Sequence, residues 1–242
     1  MKTDTSNKSV WQTLHGKEKL QYIFDYYKLP IVITLILLYI IISILYGLFT
    51  HKEPTLYLGL VNVNPSPKLT TQLTEDYLEY SKQTSDTVEL YKGLYLTDDP
   101  NNPYFEYAYA SQMKIIACVE DKAFDIVLMN QEAFDAFSQS GYLCNLEQLF
   151  KQSSSSLYHE LSPYLVDNVI ILEDNAIEVS LDNSISYNAT TEVHPYGLNL
   201  SQKGTLSFGD FNDTVYFGII ENSPRKEDCL NYVQYLFAYE FH

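Results

Sequence analysis

Cysteine is scarce in this chain. The three present (Cys118, Cys144 and Cys229, in 242 residues) are too few and too scattered for a disulfide framework or a zinc site of CxxC spacing. Basic side chains are also few: 15 Lys and Arg stand against 31 Asp and Glu, a formal net charge of −16. Phosphates reward Lys and Arg and would repel such a surface, so no nucleic-acid partner is expected. Catalytic signatures are missing too. The chain has no GxSxG, P-loop, HExxH or paired-carboxylate motif, and its five His (His15, His51, His159, His194 and His242) are isolated. These absences predict a non-enzyme without cofactor or metal. With 46% apolar and 19% charged residues, a wholly disordered chain is excluded as well.

One long apolar run is present. Residues 31–49, IVITLILLYIIISILYGLF, hold no charge over nineteen positions. As a helix they cover about 29 Å, close to the ~30 Å hydrocarbon core of a bilayer. Ile, Leu and Val occupy every face, unlike the amphipathic helix of a soluble protein. Tyr22, Phe24, Tyr26 and Tyr27 precede the run at interface depth, and Lys28 can snorkel to the headgroups. A cleaved secretory signal has a shorter apolar region and an A-x-A-like site, which Tyr46-Gly-Leu-Phe-Thr50 does not offer. No Cys stands near the end of the run for lipid attachment. The expectation is an uncleaved signal anchor whose partner is the lipid bilayer.

Charge sets the orientation. Residues 1–30 carry five Lys against three acids, a balance of +2, which leaves −18 for residues 31–242. Basic residues near a span hold their side in the cytoplasm. Three regions follow: a cytoplasmic arm (1–30), the transmembrane helix (31–49) and an acidic extracellular domain (50–242). Trp11, Leu14, Leu20, Ile23 and Tyr27 recur at helical spacing, so the arm is read as an interfacial helix that turns into the bilayer at Pro30. A docking helix for a cytoplasmic partner is the alternative.

The outer domain alternates strand-like and helix-like patterns, which predicts an α/β fold with a mainly parallel sheet and flanking helices. Residues 55–63 have a period of two, with Leu56, Leu58, Leu60 and Asn62 on one face. Leu69, Leu73, Tyr77 and Tyr80 make a helical stripe over 68–82, and 87–96 is a second strand. Phe105, Tyr109, Met113 and Ile116 make another stripe. Residues 125–130 read as a buried strand. A helix over 131–140 then turns Ala133, Phe134 and Phe137 inward and ends at Gly141. The pattern weakens from there to residue 213, with a hairpin suggested by 169–172 and 176–181. Residues 214–220 form a last strand. Ser223-Pro224 then caps a helix that buries Cys229, Leu230, Val233, Leu236 and Phe237.

Three segments (residues 110–150, 196–201 and 215–237) resemble the extracellular solute-binding proteins of bacterial uptake systems, the periplasmic-binding-protein-like class. The shared features are a helix, a D-[VI]-[VI]-type strand, a helix ending in Gly and a strand leading into an Asn-Ser-x-x-x-Glu helix. Residues 16–28, GKEKLQYIFDYYK, resemble the segment before the span in Firmicutes membrane proteins with the same outer fold. The resemblance implies a periplasmic-binding-like but truncated domain. Its usual second lobe could come only from residues 145–213. It also implies a small solute or peptide as ligand.

In parallel α/β sheets the ligand crevice lies beyond the carboxyl ends of the strands. That points to Asn62 and Asn64 after the first strand, and to Asn130, Gln131 and Glu132 after the strand at 125–130. Their amides could hydrogen-bond a ligand, and helix N–H groups could hold an anion. The plainer reading makes Asn64 and Asn130 turn and cap residues. Seventeen of the 22 Tyr fall in residues 51–242, with Tyr104, Tyr107 and Tyr109 clustered. Such rings can stack on sugars or bind peptides, but core packing is the expectation for them, as for Met113 and Met129. The functional reading is a non-catalytic domain that binds a small solute, peptide or protein partner. The alternative is an accessory subunit of a transporter or cell-envelope complex.

Overall fold

The computed structural model describes residues 16–50, 54–83, 86–182, 184–202 and 214–238. The chain divides into two compact units, Met1–Lys52 and Glu53–His242.

The first unit holds helix α1, Lys17–Thr50, which runs through Pro30 without a break. The stretches before and after Pro30 thus form one continuous helix. A proline removes one backbone donor, and its cost to a long helix is local; one turn on, Thr34 Oγ1 donates to the Pro30 carbonyl at 2.9 Å. Trp11 and Leu14 of the predicted interfacial stripe lie outside the described residues. Within α1 the stretch Lys28–Tyr46 is long and apolar enough to cross a membrane, and none of it is buried.

The second unit is an α/β domain around a six-stranded sheet. Strands β1 (Leu56–Val61), β2 (Val88–Leu94) and β3 (Ile126–Met129) are followed by β4 (Leu165–Asp174), β5 (Ala189–Asn199) and β6 (Tyr216–Ile219), in the spatial order β2-β1-β3-β6-β5-β4. β1 pairs in parallel with β2 and β3, while the β3–β6, β6–β5 and β5–β4 pairs are antiparallel. The sheet is mixed, which corrects the expectation of a mainly parallel one. Helical crossovers separate β1, β2 and β3 and keep them parallel. β4, β5 and β6 follow each other as neighbours without a crossover, so each reverses direction.

Helix α2 joins β1 to β2 in three consecutive pieces: α-helical Pro67–Thr71, a π turn Gln72–Asp76 and α-helical Tyr77–Tyr80. Ser66 caps it by accepting from Leu69 N. α3 (Phe105–Glu120) joins β2 to β3, and α4 (Gln131–Gln139) follows β3. α5 (Leu146–Ser153), α6 (Ser155–Leu161), the short α7 (Ala176–Leu181) and α8 (Lys226–Ala238) complete the unit.

Two cores lie on opposite faces of the sheet. One joins Leu56, Leu58, Leu60, Ile126 and Leu128 to α2, α5, α6 and α8. The other joins Val61, Val127 and Met129 to α3 and α4. In the first, Tyr232 and Tyr235 of α8 donate to the carbonyls of Leu73 and Gln72, at 2.8 and 2.5 Å. The wider π turn is stabilised by these two phenols. In the second, β5 passes so close beneath α4 that a Cβ at Gly197 would lie 2.7 Å from the Phe134 ring.

The helical stripe expected on α3 is rotated. Its buried face carries Ala108, Ser111, Ile115, Cys118 and Val119, whereas Phe105, Tyr109 and Met113 are exposed. Residues 176–181 are helical, and the true partner of β4 is β5. The described part of residues 145–213 joins the same sheet rather than building a second lobe; residues 183 and 203–213 of that stretch lie outside the described residues.

Candidate functional site

The parallel strands end in two separate recesses. The first is a cleft of about 360 Å³ above β1 and β2, lined by Asn62, Val63, Asn64, Gly93, Leu94, Tyr95, Tyr104 and Tyr107. Gly93, at φ +72°, lets the chain leave β2 beneath Tyr107, whose hydroxyl donates to the Gly93 carbonyl. Asn102 Nδ2 donates to Tyr95 Oη at 3.0 Å, and the Tyr95 and Tyr104 rings meet edge to face, 6.2 Å apart. Tyr104 is 64% exposed and Tyr107 53%. The core role expected for Tyr104, Tyr107 and Tyr109 is thereby overturned: α3 turns Ala108 and Ile115 to the sheet and leaves these rings in solvent. Among the described residues, no charged side chain lines the cleft.

The second recess, about 570 Å³ and open to solvent, is lined by Asn130, Gln131, Glu132, Asp135, Thr214 and Tyr216. Its side chains are largely committed to local structure. Asn130 caps α4 by accepting from Ala133 N at 3.0 Å. Gln131 Nε2 donates to Asp135 Oδ1 at 2.7 Å, and Asn168 Nδ2 donates to the same oxygen at 2.9 Å. Glu132 Oε1 accepts from Asp98 N at 3.3 Å. Burial and the nearby Asp135 carboxylate raise the Tyr216 phenol above its ordinary pKa.

The five residues singled out in the sequence thus divide between two recesses. Asn62 is structural. It stands at φ +58°, and its amide both donates to Leu96 O (2.8 Å) and accepts from Leu96 N (2.7 Å), locking the exit of β1 to the exit of β2. Asn64 is exposed in the first cleft, where its amide can serve as donor and acceptor. The sequence reading missed Tyr95. The signal for it was its place straight after a strand and its nearness to the Tyr104–Tyr109 cluster, but the β2–α3 turn that brings them together is tertiary.

At the opposite end of the parallel strands sits a polar network that the sequence reading also missed. Asp125 is fully buried. Its Oδ1 accepts from Ser223 Oγ (2.6 Å), and its Oδ2 accepts from Tyr57 N (2.8 Å) and Arg225 Nε (2.7 Å). The Arg225 guanidinium lies over the Tyr57 ring, 4.5 Å from its centre. Ser223 also accepts from Arg225 N, so this turn clamps to the sheet before α8 begins at Lys226, rather than capping the helix directly. The nearby Cys144 and Cys229 are buried free thiols. Burial pushes Cys144 up to about 11 and Cys229 higher still. Among the described residues no group of three or more His, Cys, Asp or Glu is placed to hold a metal.

No protein-family model, curated protein or solved structure matches this chain.

Proposed function

We propose that the chain is a single-pass membrane protein, anchored by residues 31–49, with its N-terminal arm in the cytoplasm and its acidic α/β domain outside. In this reading the domain binds a small neutral solute and performs no catalysis. The observation that carries the reading is the tyrosine-lined cleft. In a region bearing −18, the described lining of this cleft has three Tyr, two Asn and no charge. Its volume falls at the lower end of the roughly 300–1,000 Å³ of small-molecule sites. The exposed faces of Tyr104 and Tyr107 suit a ring with an apolar side, and the Asn64 amide suits a hydroxyl or carbonyl on its edge. A resemblance to bacterial solute-binding proteins is part of the same reading. The crossovers of β2-β1-β3 and a cleft at the strand carboxyl ends support it.

The test is thermal. The full-length chain in nanodiscs is melted against neutral mono- and disaccharides, amino acids, short peptides and metal ions. A ligand of the native state stabilises it by about 2.7 kcal/mol at one hundred times its Kd. A saturating rise in Tm with a neutral solute, abolished by Tyr104→Ala, is the expected result. No shift with any compound overturns the binding role. Placement has its own check: protease added to intact cells is expected to remove the C-terminal domain, and a protected domain reverses the topology.

A further inference from the structure

The strand pair β4–β5 runs past the rest of the sheet. It pairs from Leu165↔Leu198 out to Asp174↔Ala189, whereas β5 meets β6 only at Leu198 and Asn199. The outer part is a two-stranded arm tipped by α7. Polar bonds join the two strands at the base of the tip. Asn175 exchanges a hydrogen bond with Asn188 in each direction: Asn175 N donates to Asn188 O at 3.2 Å, and Asn188 N donates to Asn175 Oδ1 at 2.7 Å. Asn175 Nδ2 donates to Ser186 O at 3.0 Å, and Tyr187 Oη donates to Asp174 Oδ2 at 3.1 Å.

Beyond this base, α7 turns apolar side chains outward. Ile177 is 76% exposed and Leu181 83%, four residues apart and so on one face of α7. Leu172, Tyr187 and Val193 are also exposed on the arm. Apolar surface gathered this way, on a domain whose cores are filled elsewhere, marks a contact surface. Charge then selects the occupant. Residues 165–199 contain Asp167, Glu173, Asp174, Glu178, Asp182 and Glu192, and neither Lys nor Arg. A second copy would set like charges against each other, and an anionic bilayer would be repelled by the same carboxylates.

We infer that the tip of the β4–β5 arm is a docking surface for a cationic, amphipathic segment of a partner protein. The partner's apolar side chains cover Ile177, Leu181 and Tyr187, and its Lys or Arg residues face the surrounding carboxylates. The bonds of Asp174 and Asn175 to Ser186, Tyr187 and Asn188 fix the base from which α7 projects, which lowers the ordering cost of docking there. This role is independent of the tyrosine-lined cleft.

A photo-crosslinking side chain at position 177 of the full-length chain, activated in intact cells of its native host, tests the assignment. The expected adduct is a protein segment of net positive charge with interspersed apolar residues. Its yield should fall at least tenfold in the triple variant Glu173→Gln/Glu178→Gln/Glu192→Gln, with chain level and Tm unchanged. These three carboxylates are exposed, and none of them takes part in the bonds at the base of the tip. An adduct to a second copy, to lipid, or to a neutral or acidic segment overturns the inference. So does the lack of any protein adduct, or a yield indifferent to the triple variant.

Discussion

The two ends of the parallel strands contrast sharply. At the amino end of β3, Asp125 is buried and each carboxylate oxygen is bonded, joining β1, β3 and the turn before α8. At the carboxyl ends of β1 and β2, the described side chains lining the cleft are uncharged, and Tyr104 and Tyr107 are exposed. A charge buried with full partners serves cohesion, because removing any partner leaves an uncompensated group. Exposed rings bury little surface and contribute little to stability. The same sheet therefore keeps its polar clamp at one end and an exposed aromatic cleft at the other.

Breaking the closed end should have the largest effect. Asp125→Ala leaves Ser223 Oγ, Arg225 Nε and Tyr57 N without this acceptor and is expected to cost about 3–5 kcal/mol, read as a lower denaturant midpoint. The same end gives a pH signature. The Cys144 thiol rises from 9.0 to about 11 because burial disfavours the thiolate. The folded state therefore holds this proton more tightly than the unfolded chain. The stabilisation is complete below pH 9 and is lost as pH rises towards 11, by about 2–3 kcal/mol from this group. Unfolding midpoints across that window should show the fall, and Cys144→Ala should reduce it.

At the open end the two asparagines sharpen the comparison. Asn62→Ala removes both bonds to Leu96 and puts alanine at a left-handed φ, for an expected loss of about 2 kcal/mol. Asn64→Ala should stay within about 0.5 kcal/mol. The smallest stability change belongs to Tyr104→Ala, again within about 0.5 kcal/mol, while any ligand-induced rise in Tm disappears. A large Tm loss in that variant would make the ring structural and erase the contrast between the ends.

Legibility in the sequence followed burial. β1, β3 and β6 are covered on both faces, and their runs of Leu, Ile, Val and Phe stood out. α4 and α8 showed their apolar faces at helical spacing. β5 was missed because its outer half, Ala-Thr-Thr-Glu-Val-His-Pro, pairs in an arm with little to cover it and carries no apolar alternation. On α7 the β-branched Ile177 and Val179 imitated a strand. On α3 apolar residues occupy two faces, and spacing alone does not say which one meets the sheet. Of the five site residues, position at the strand ends was readable, while their commitments were not. Asn62 and Leu96 look unrelated until β2 is laid beside β1.

Composition and order of residues alone determined an apolar stretch long enough to cross a membrane, an acidic remainder and an α/β alternation. These depend on local hydrophobicity, charge and periodicity. Only the tertiary structure decided that the sheet is mixed, that Asp125 meets Ser223 and Arg225 across about a hundred residues, and which tyrosines face water. Such choices depend on which distant surfaces bury each other, and that free energy does not exist until the chain has closed on itself.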